Sequence, residues 1–383
     1  MIPITRPWMD EREEEAARRV IRSGWITQGP EVTRFEAAFS ATVQSEHACA
    51  VSSCTAALHL ALLAVGVREG DHVLTVSHSF IATANAIRYC GAIPVFVDIE
   101  RSTYNIDPTK LEDSITPRTR AILCVHQMGM PCDMGAIGEV AARRGLAVIE
   151  DAACAVGSAI LRGDEWQPVG RPHGDIACFS FHPRKVITTG EGGMLTTARD
   201  EYYKAFRRWR QHSMSVPDTV RHGSPEVVFE AYTERGFNYR MTDLSAAVGC
   251  VQLERLAEIV SKRRVLAERY RQLLSDAEEL ELPQEPAWAR TNWQSYCARL
   301  PARADQKWVM QHLLDHGIAT RRGIMCSHLE PAWSGREWIA GAGGLSESEQ
   351  AQRQCVLLPL YPGLTESEQE QVALHLKEAV AAG

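Results

Sequence analysis

An alternation through the first half of the chain constrains its fold most. Short apolar runs at Ala48–Ser52, Asp71–Val76, Pro94–Val97, Ala121–Val125 and Leu146–Ile149 are separated by segments of helical periodicity. Helices are expected at Asp10–Ser23 and Glu31–Ala41, from Cys54 to about Val65, and at Ile81–Tyr89 and Asp133–Arg143. Strands that return through a helix pair in parallel, and helices then cover both faces of the sheet. The fold class is therefore α/β, with a mostly parallel mixed sheet sandwiched by helices. Met194–Thr197 is expected to add one antiparallel strand.

From Tyr202 the pattern turns helical. Gln211–Arg235 is polar, contains Gly and Pro, and lacks periodicity; loops of that length are usually functional or mobile. A long helix or helix pair is expected from Ser245 to Leu274, then a strand at Tyr296–Leu300 and a helix at Asp305–His316. A strand at Ile318–Arg321 and a closing helix at Glu366–Ala381 complete a smaller α/β unit. The expected division is 1–245 for an N-terminal arm and large domain, and 246–383 for a small C-terminal domain. There is no internal repeat.

With 383 residues, 45% hydrophobic and 23% charged, the chain can bury a large core. A formal net charge of -7 argues against non-specific nucleic-acid binding. The basic run Lys262-Arg263-Arg264 lies in a helical pattern and reads as a solvated face. Met1-Ile-Pro-Ile-Thr-Arg-Pro7 has no apolar run, so no signal peptide is expected. No stretch reaches the roughly 18 apolar residues of a membrane span. Eleven cysteines without a Cys-x-x-Cys pair, most in apolar runs, read as reduced core thiols of a cytoplasmic protein.

The chemistry centres on three strand ends. Ala177–Phe181 is a short apolar run that Pro183 terminates, because proline cannot donate to a ladder. Gly190, Gly192 and Gly193 then allow a tight path back to Met194. Lys185 sits in that turn with no neighbouring acid. Its amine is placed for Schiff-base chemistry, although most lysines in turns are simply solvated. Ser52-Ser53-Cys54-Thr55 joins a strand to a helix N-terminus, where N–H groups and the dipole favour a phosphate. Its plain alternative is an ordinary Ser/Thr cap. Asp151 follows a buried run and could cap a helix, hold a metal or meet a ligand cation. Ligands of open α/β sheets bind beyond the carboxyl ends of strands. An anion site, an acid and an amine facing one crevice suit pyridoxal 5'-phosphate (PLP), with Asp151 keeping the ring nitrogen protonated. No Gly-x-Gly-x-x-Gly follows the first strand, so a nicotinamide-binding enzyme is disfavoured.

The motifs resemble those of the DegT/DnrJ/EryC1/StrS family of PLP-dependent sugar aminotransferases, which have the fold type I architecture. The resemblance rests on Ser23-Gly-Trp-Ile-Thr-Gln-Gly-Pro30, Ser53-Cys-Thr-Ala-Ala-Leu58, Ser79-Phe-Ile-Ala-Thr-Ala-Asn85 and Glu150-Asp-Ala-Ala153. It continues through Ser180-Phe-His-Pro-Arg-Lys185, Thr188-Thr-Gly-Glu-Gly-Gly193, Gly236-Phe-Asn-Tyr-Arg-Met-Thr-Asp243 and Leu358-Pro-Leu-Tyr-Pro362. It implies that Lys185 carries the cofactor and moves the proton, while Asp151 pairs with the ring nitrogen. Phe80 is implied to stack on the ring. Thr55, Ala56 and Ser180 are implied to hold the phosphate, with Asn238 reaching it from a second subunit of a homodimer. Arg240 and His328 are expected at the substrate, and His182 in a mainly structural role. Cys154 departs from the Gln or His common in the family and sits where the ring hydroxyl is approached; a thiol is a weaker hydrogen-bonding group. The implied reaction moves an amino group from an amino acid, such as L-glutamate, to a nucleotide-linked keto-sugar, by way of the pyridoxamine form (PMP). A keto-cyclitol acceptor, a sugar dehydratase or lyase on the same fold, and a non-catalytic regulator are the alternatives. Retention of Lys185 argues against the family's dehydratase branch, which carries His there.

Overall fold

The computed structural model describes residues 1–216, 221, 225–335 and 337–382. Its strands are β1 (His47–Val51), β2 (His72–Val76), β3 (Ile93–Val97), β4 (Thr119–Val125), β5 (Ala147–Asp151), β6 (Ala159–Arg162), β7 (Glu165–Pro168), β8 (Ile176–Ser180), β9 (Gly193–Thr197), β10 (Ala289–Arg290), β11 (Tyr296–Arg299), β12 (Arg321–Arg322), β13 (Ile339–Ala340) and β14 (Cys355–Leu358). Eight of them form one sheet in the order β1-β9-β8-β5-β4-β2-β3-β13. From β8 to β13 every pairing is parallel, whereas β9 runs antiparallel to both β8 and β1. The alternation of the first half thus produces the expected parallel sheet, and the expected returning strand is β9.

Apolar residues on alternate sides of the strands build two layers of core. Phe179 and Phe181 of the β8 segment point to one face, where they pack edge-on against Phe35 and Phe39. Cys178 points to the other face, under the helix Cys54–Ala64 with Leu58, Leu60 and Leu62. A separate cluster joins Ile2 to residues between Leu266 and Val380 around a small sheet in the order β11-β14-β12.

Long-range polar contacts fix the helices to this frame. The helix Glu11–Ser23 opens with a reciprocal capping box between Asp10 and Glu13 and closes at Gly24, whose φ is 77°. The helix Pro30–Val43 has no cap of its own. Asp243 supplies one from far along the chain, accepting from the N–H groups of Gly29 at 2.7 Å, Val32 at 3.0 Å and Glu31 at 3.2 Å. Arg210 and Glu36, both nearly sealed from water, form an ion pair, and each also bonds the Ala50 backbone of β1.

Several expectations need correction. Arg263 is not on a solvated face. It is 1% exposed and donates to the carbonyls of Trp293, Gln294 and Leu360. The helix Leu256–Leu273 buries a stripe through Leu256, Ile259, Val260, Leu266 and Ala267, and position 263 falls within it. Lys262 is partly exposed and lies over the Trp8 ring. The 245–274 segment, by contrast, takes the expected form of a helix pair, Asp243–Glu254 and Leu256–Leu273, which meet at Arg255. The strand expected at 318–321 begins only at Arg321, and Ile318 instead bridges Ile2. Residues 217–220 and 222–224 of the expected 211–235 loop lie outside the described residues. Its ends meet through the bridges Gln211–Asn238 and Met214–Tyr232.

All eleven cysteines are unpaired, ten buried and Cys154 half-buried. No helix among the described residues is long and apolar enough to cross a membrane. The carboxyl ends of β2, β4, β5 and β8 open on one side of the sheet, where a cavity of about 420 Å³ lies.

Candidate active site

The cavity is built from the segments that follow these strands. After β1, Ser53 caps the helix Cys54–Ala64 and its hydroxyl accepts from the Ala56 N–H at 3.1 Å. A helix start carries several unbonded donors, so those of Cys54 and Thr55 are left for an anion. Gly193 packs directly beneath this turn. A Cβ there would lie 2.4 Å from the Ser53 carbonyl carbon, so the close approach requires glycine. The glycine run after Lys185 therefore serves the anion loop as well as the lysine turn. Ser180, the last residue of β8, lines the same part of the cavity.

Asp151 ends β5 and is 5% exposed. One carboxylate oxygen accepts from the Thr83 hydroxyl at 2.8 Å, and Thr83 in turn bonds Ser79 at 2.8 Å. The other accepts from the Ala153 N–H at 3.1 Å. Burial pushes the Asp151 pKa up, and although Thr83, Ala153 and Lys185 pull it back, it stays above the usual carboxylate value. A buried carboxylate of this kind is stabilised by a cation on its open side, as a protonated pyridine nitrogen would be.

Lys185 lies across the cavity. Its Nζ donates to the Cys154 sulfur at 3.1 Å. Burial alone would lower its pKa, but Cys154, Cys54 and Asp151 outweigh that and raise it. The sulfur that replaces the family's usual Gln or His therefore contacts the lysine itself. The residues fit PLP: a helix start for the phosphate, a buried acid for the ring nitrogen and an amine for the aldehyde.

Of the residues singled out by sequence, Thr55, Phe80, Asp151, Cys154, Ser180 and Lys185 line this one cavity, as does His182. Phe80 is 56% exposed, an apolar ring left uncovered at the cavity. Ala56 is buried one position deeper, its N–H already taken by Ser53. Like Ala56, three others do not line the cavity. Asn238 is exposed and Arg240 half-buried on a segment whose Tyr239 carbonyl accepts from the Ser52 N–H at 2.8 Å. His328 is packed between Ser77 at 2.6 Å and Glu349 at 3.3 Å, beside Trp338.

Sequence reasoning missed other members. Thr83 and Ser79 were within the quoted Ser79–Asn85 segment, and their i, i+4 spacing on a helix start was the available signal. Gln294, Arg321 and Glu191 also line the cavity. Gln294 and Arg321 come from the C-terminal third, where nothing local marks them. Arg184 and Arg321 are exposed at the cavity, and among the described residues neither guanidinium pairs with a carboxylate.

A family model described as the DegT/DnrJ/EryC1/StrS aminotransferase family matches residues 7–377. The chain is 35% identical over 383 residues to the spore coat polysaccharide biosynthesis protein SpsC of Bacillus subtilis, covering 99% of this chain and 97% of that protein. It superposes on the aminotransferase TlmJ from Streptoalloteichus hindustanus with a TM-score of 0.89 at 34% identity, over 100% of this chain and 99% of the other. Spr1654 from Streptococcus pneumoniae in its PMP form gives 0.92 at 26% identity over 100% of both chains, and that protein is also solved in a PLP form. The architecture is that of the fold type I aminotransferases. Sequence match and sheet topology lead to the same conclusion: the chain belongs to the DegT/DnrJ/EryC1/StrS aminotransferase family, whose cofactor is PLP.

Proposed function

We propose that this enzyme transfers an amino group from an amino acid of the L-glutamate class to the ketone of a nucleotide-linked sugar. The observation that carries the reading is one cavity that holds Lys185, Asp151, Thr55 and Ser180 together, beside two arginines that pair with no carboxylate among the described residues. PLP, when bound, supplies an electron sink that lets an α-proton leave and return. The residues of this chain do the rest. The donors at Cys54 and Thr55, with Ser180, hold a phosphate. Asp151, oriented by Thr83, keeps the ring nitrogen protonated. Phe80 covers one ring face and excludes water. The Lys185 amine, held near Cys154, takes the proton in the first half-reaction and returns it in the second. Arg184 and Arg321 are the cations available to a donor carboxylate or an acceptor diphosphate.

The working unit in this reading is a homodimer. Asn238 is exposed and outside its own cavity, on the segment bonded to Ser52 of the anion loop. In such a dimer it would donate to the phosphate of the second copy. The likeness to SpsC, a spore coat polysaccharide biosynthesis protein, supports an acceptor drawn from surface-sugar synthesis.

The test is to convert the enzyme to its PMP form with an amino donor, remove the donor, and offer keto-sugars with and without a nucleotide, together with a keto-cyclitol. Return of the lysine-bound absorbance with a nucleotide-linked keto-sugar is expected. Return only with the cyclitol or the free sugar would overturn the nucleotide-linked reading.

A further inference from the structure

Far from the cavity, three histidines converge between two helices of the C-terminal part. His312 lies in the helix Gln306–Asp315 and His316 caps its end, so the two stand four residues apart on one face. His375 faces them from the helix Glu366–Ala382. One ring nitrogen from each lies within 4.8 Å of the others. The rings of His316 and His375 stack at 4.1 Å, and those of His312 and His316 lie 4.5 Å apart.

The hydrogen bonds around the rings are those of metal ligands. His316 Nδ1 bonds the His312 carbonyl at 2.8 Å, which requires a proton on Nδ1 and leaves Nε2 as the lone-pair nitrogen. His375 Nδ1 bonds the Glu378 carboxylate at 2.8 Å, which fixes its tautomer the same way. A backbone carbonyl and a carboxylate are the usual second partners of metal-bound histidines. His312 Nε2 is shielded from solvent and has no hydrogen-bond partner among the described residues, and the Glu378 carboxylate is 3.9 Å from it.

We propose that His312, His316 and His375 bind a divalent transition-metal ion of the zinc class, with Glu378 as a positioning residue for His375. Imidazole is a preferred ligand of zinc, copper and nickel. Tetrahedral zinc with bonds of about 2.1 Å sets its nitrogens about 3.4 Å apart, so the rings need to close by roughly 1 Å. The site clamps two helices of the small cluster together, and its role is structural rather than catalytic.

The experiment uses the full-length, PLP-loaded enzyme with any affinity tag removed and prior chelator treatment. Zinc is titrated by calorimetry, and Co²⁺ serves as a spectroscopic probe. Expected are one zinc per chain, a raised Tm and the intense visible band of tetrahedral cobalt. His316→Ala, at an exposed position that tolerates truncation, and His375→Ala should each lose the bound zinc while transamination is unchanged. Glu378→Gln should weaken zinc binding roughly 10–100-fold. Absence of stoichiometric zinc in the parent, or binding that survives both histidine variants with circular dichroism unchanged, overturns the proposal.

Discussion

Replacing Asp151 with Asn tests the electrostatic core of the site. The change is isosteric and keeps one oxygen to accept from Thr83 or Ala153, so the fold should survive. What it removes is the negative charge of a side chain that is 5% exposed. A cationic ring nitrogen in hydrogen-bond contact with that carboxylate would gain about 5 kcal/mol at an effective dielectric constant near 20. Breaking a buried pair by removing one member costs about 3–5 kcal/mol in practice. At about 1.4 kcal/mol per decade, the rate should fall by roughly 10²–10⁴. The assay is single-turnover loss of the lysine-bound absorbance on mixing with the amino donor, in enzyme saturated with cofactor. Near-normal turnover in Asp151→Asn would refute the assignment. The cofactor-free protein gives an independent check. The Asp151 pKa is raised in the folded state, so the folded chain holds that proton longer than the unfolded one. Stability should therefore fall as pH rises from about 3.9, the unfolded value, through the raised folded value. Asp151→Asn should abolish that loss, and above this window the cofactor-free variant should be the more stable of the two.

Two further outcomes follow from the same geometry. Glu36→Ala leaves Arg210 buried without its partner and should destabilise the protein by about 3–5 kcal/mol, read by urea unfolding; a change under about 1 kcal/mol would contradict the buried-pair account. Mixing inactive Lys185→Ala with an inactive variant disrupted around Asn238 should restore part of the activity, because one site of a mixed dimer receives both intact contributions. No recovery after subunit exchange proven by mass spectrometry would remove the shared-site reading.

The large sheet was legible because its longer strands each carry an apolar run and most lie next to a helix of clear period; β2, β8 and β9 are buried along their whole length, whereas the two-residue β13 left no such mark. The places of the anion loop, Asp151 and Lys185 at the cavity were legible for a related reason, since each lies at or shortly beyond the end of a strand. The strands β6, β7 and β10 were not, because runs of two to four residues carry too little pattern. Arg263 misled because three consecutive basic residues look solvated, while the helix stripe that buries the middle one is set by tertiary packing. Asp243 gave no sign that it caps a helix more than two hundred residues earlier. Gln294 and Arg321 reach the cavity only through the docking of the C-terminal part on the sheet, which no local spacing encodes.

In the proposed function, Lys185 is the amine through which this enzyme works. Borohydride reduction of the yellow holoenzyme, followed by proteolysis and mass spectrometry, tests it most directly. A single peptide carrying the reduced cofactor on Lys185 is expected, with the mark absent from Lys185→Ala although that variant still binds cofactor non-covalently. The mark on any other lysine would contradict it.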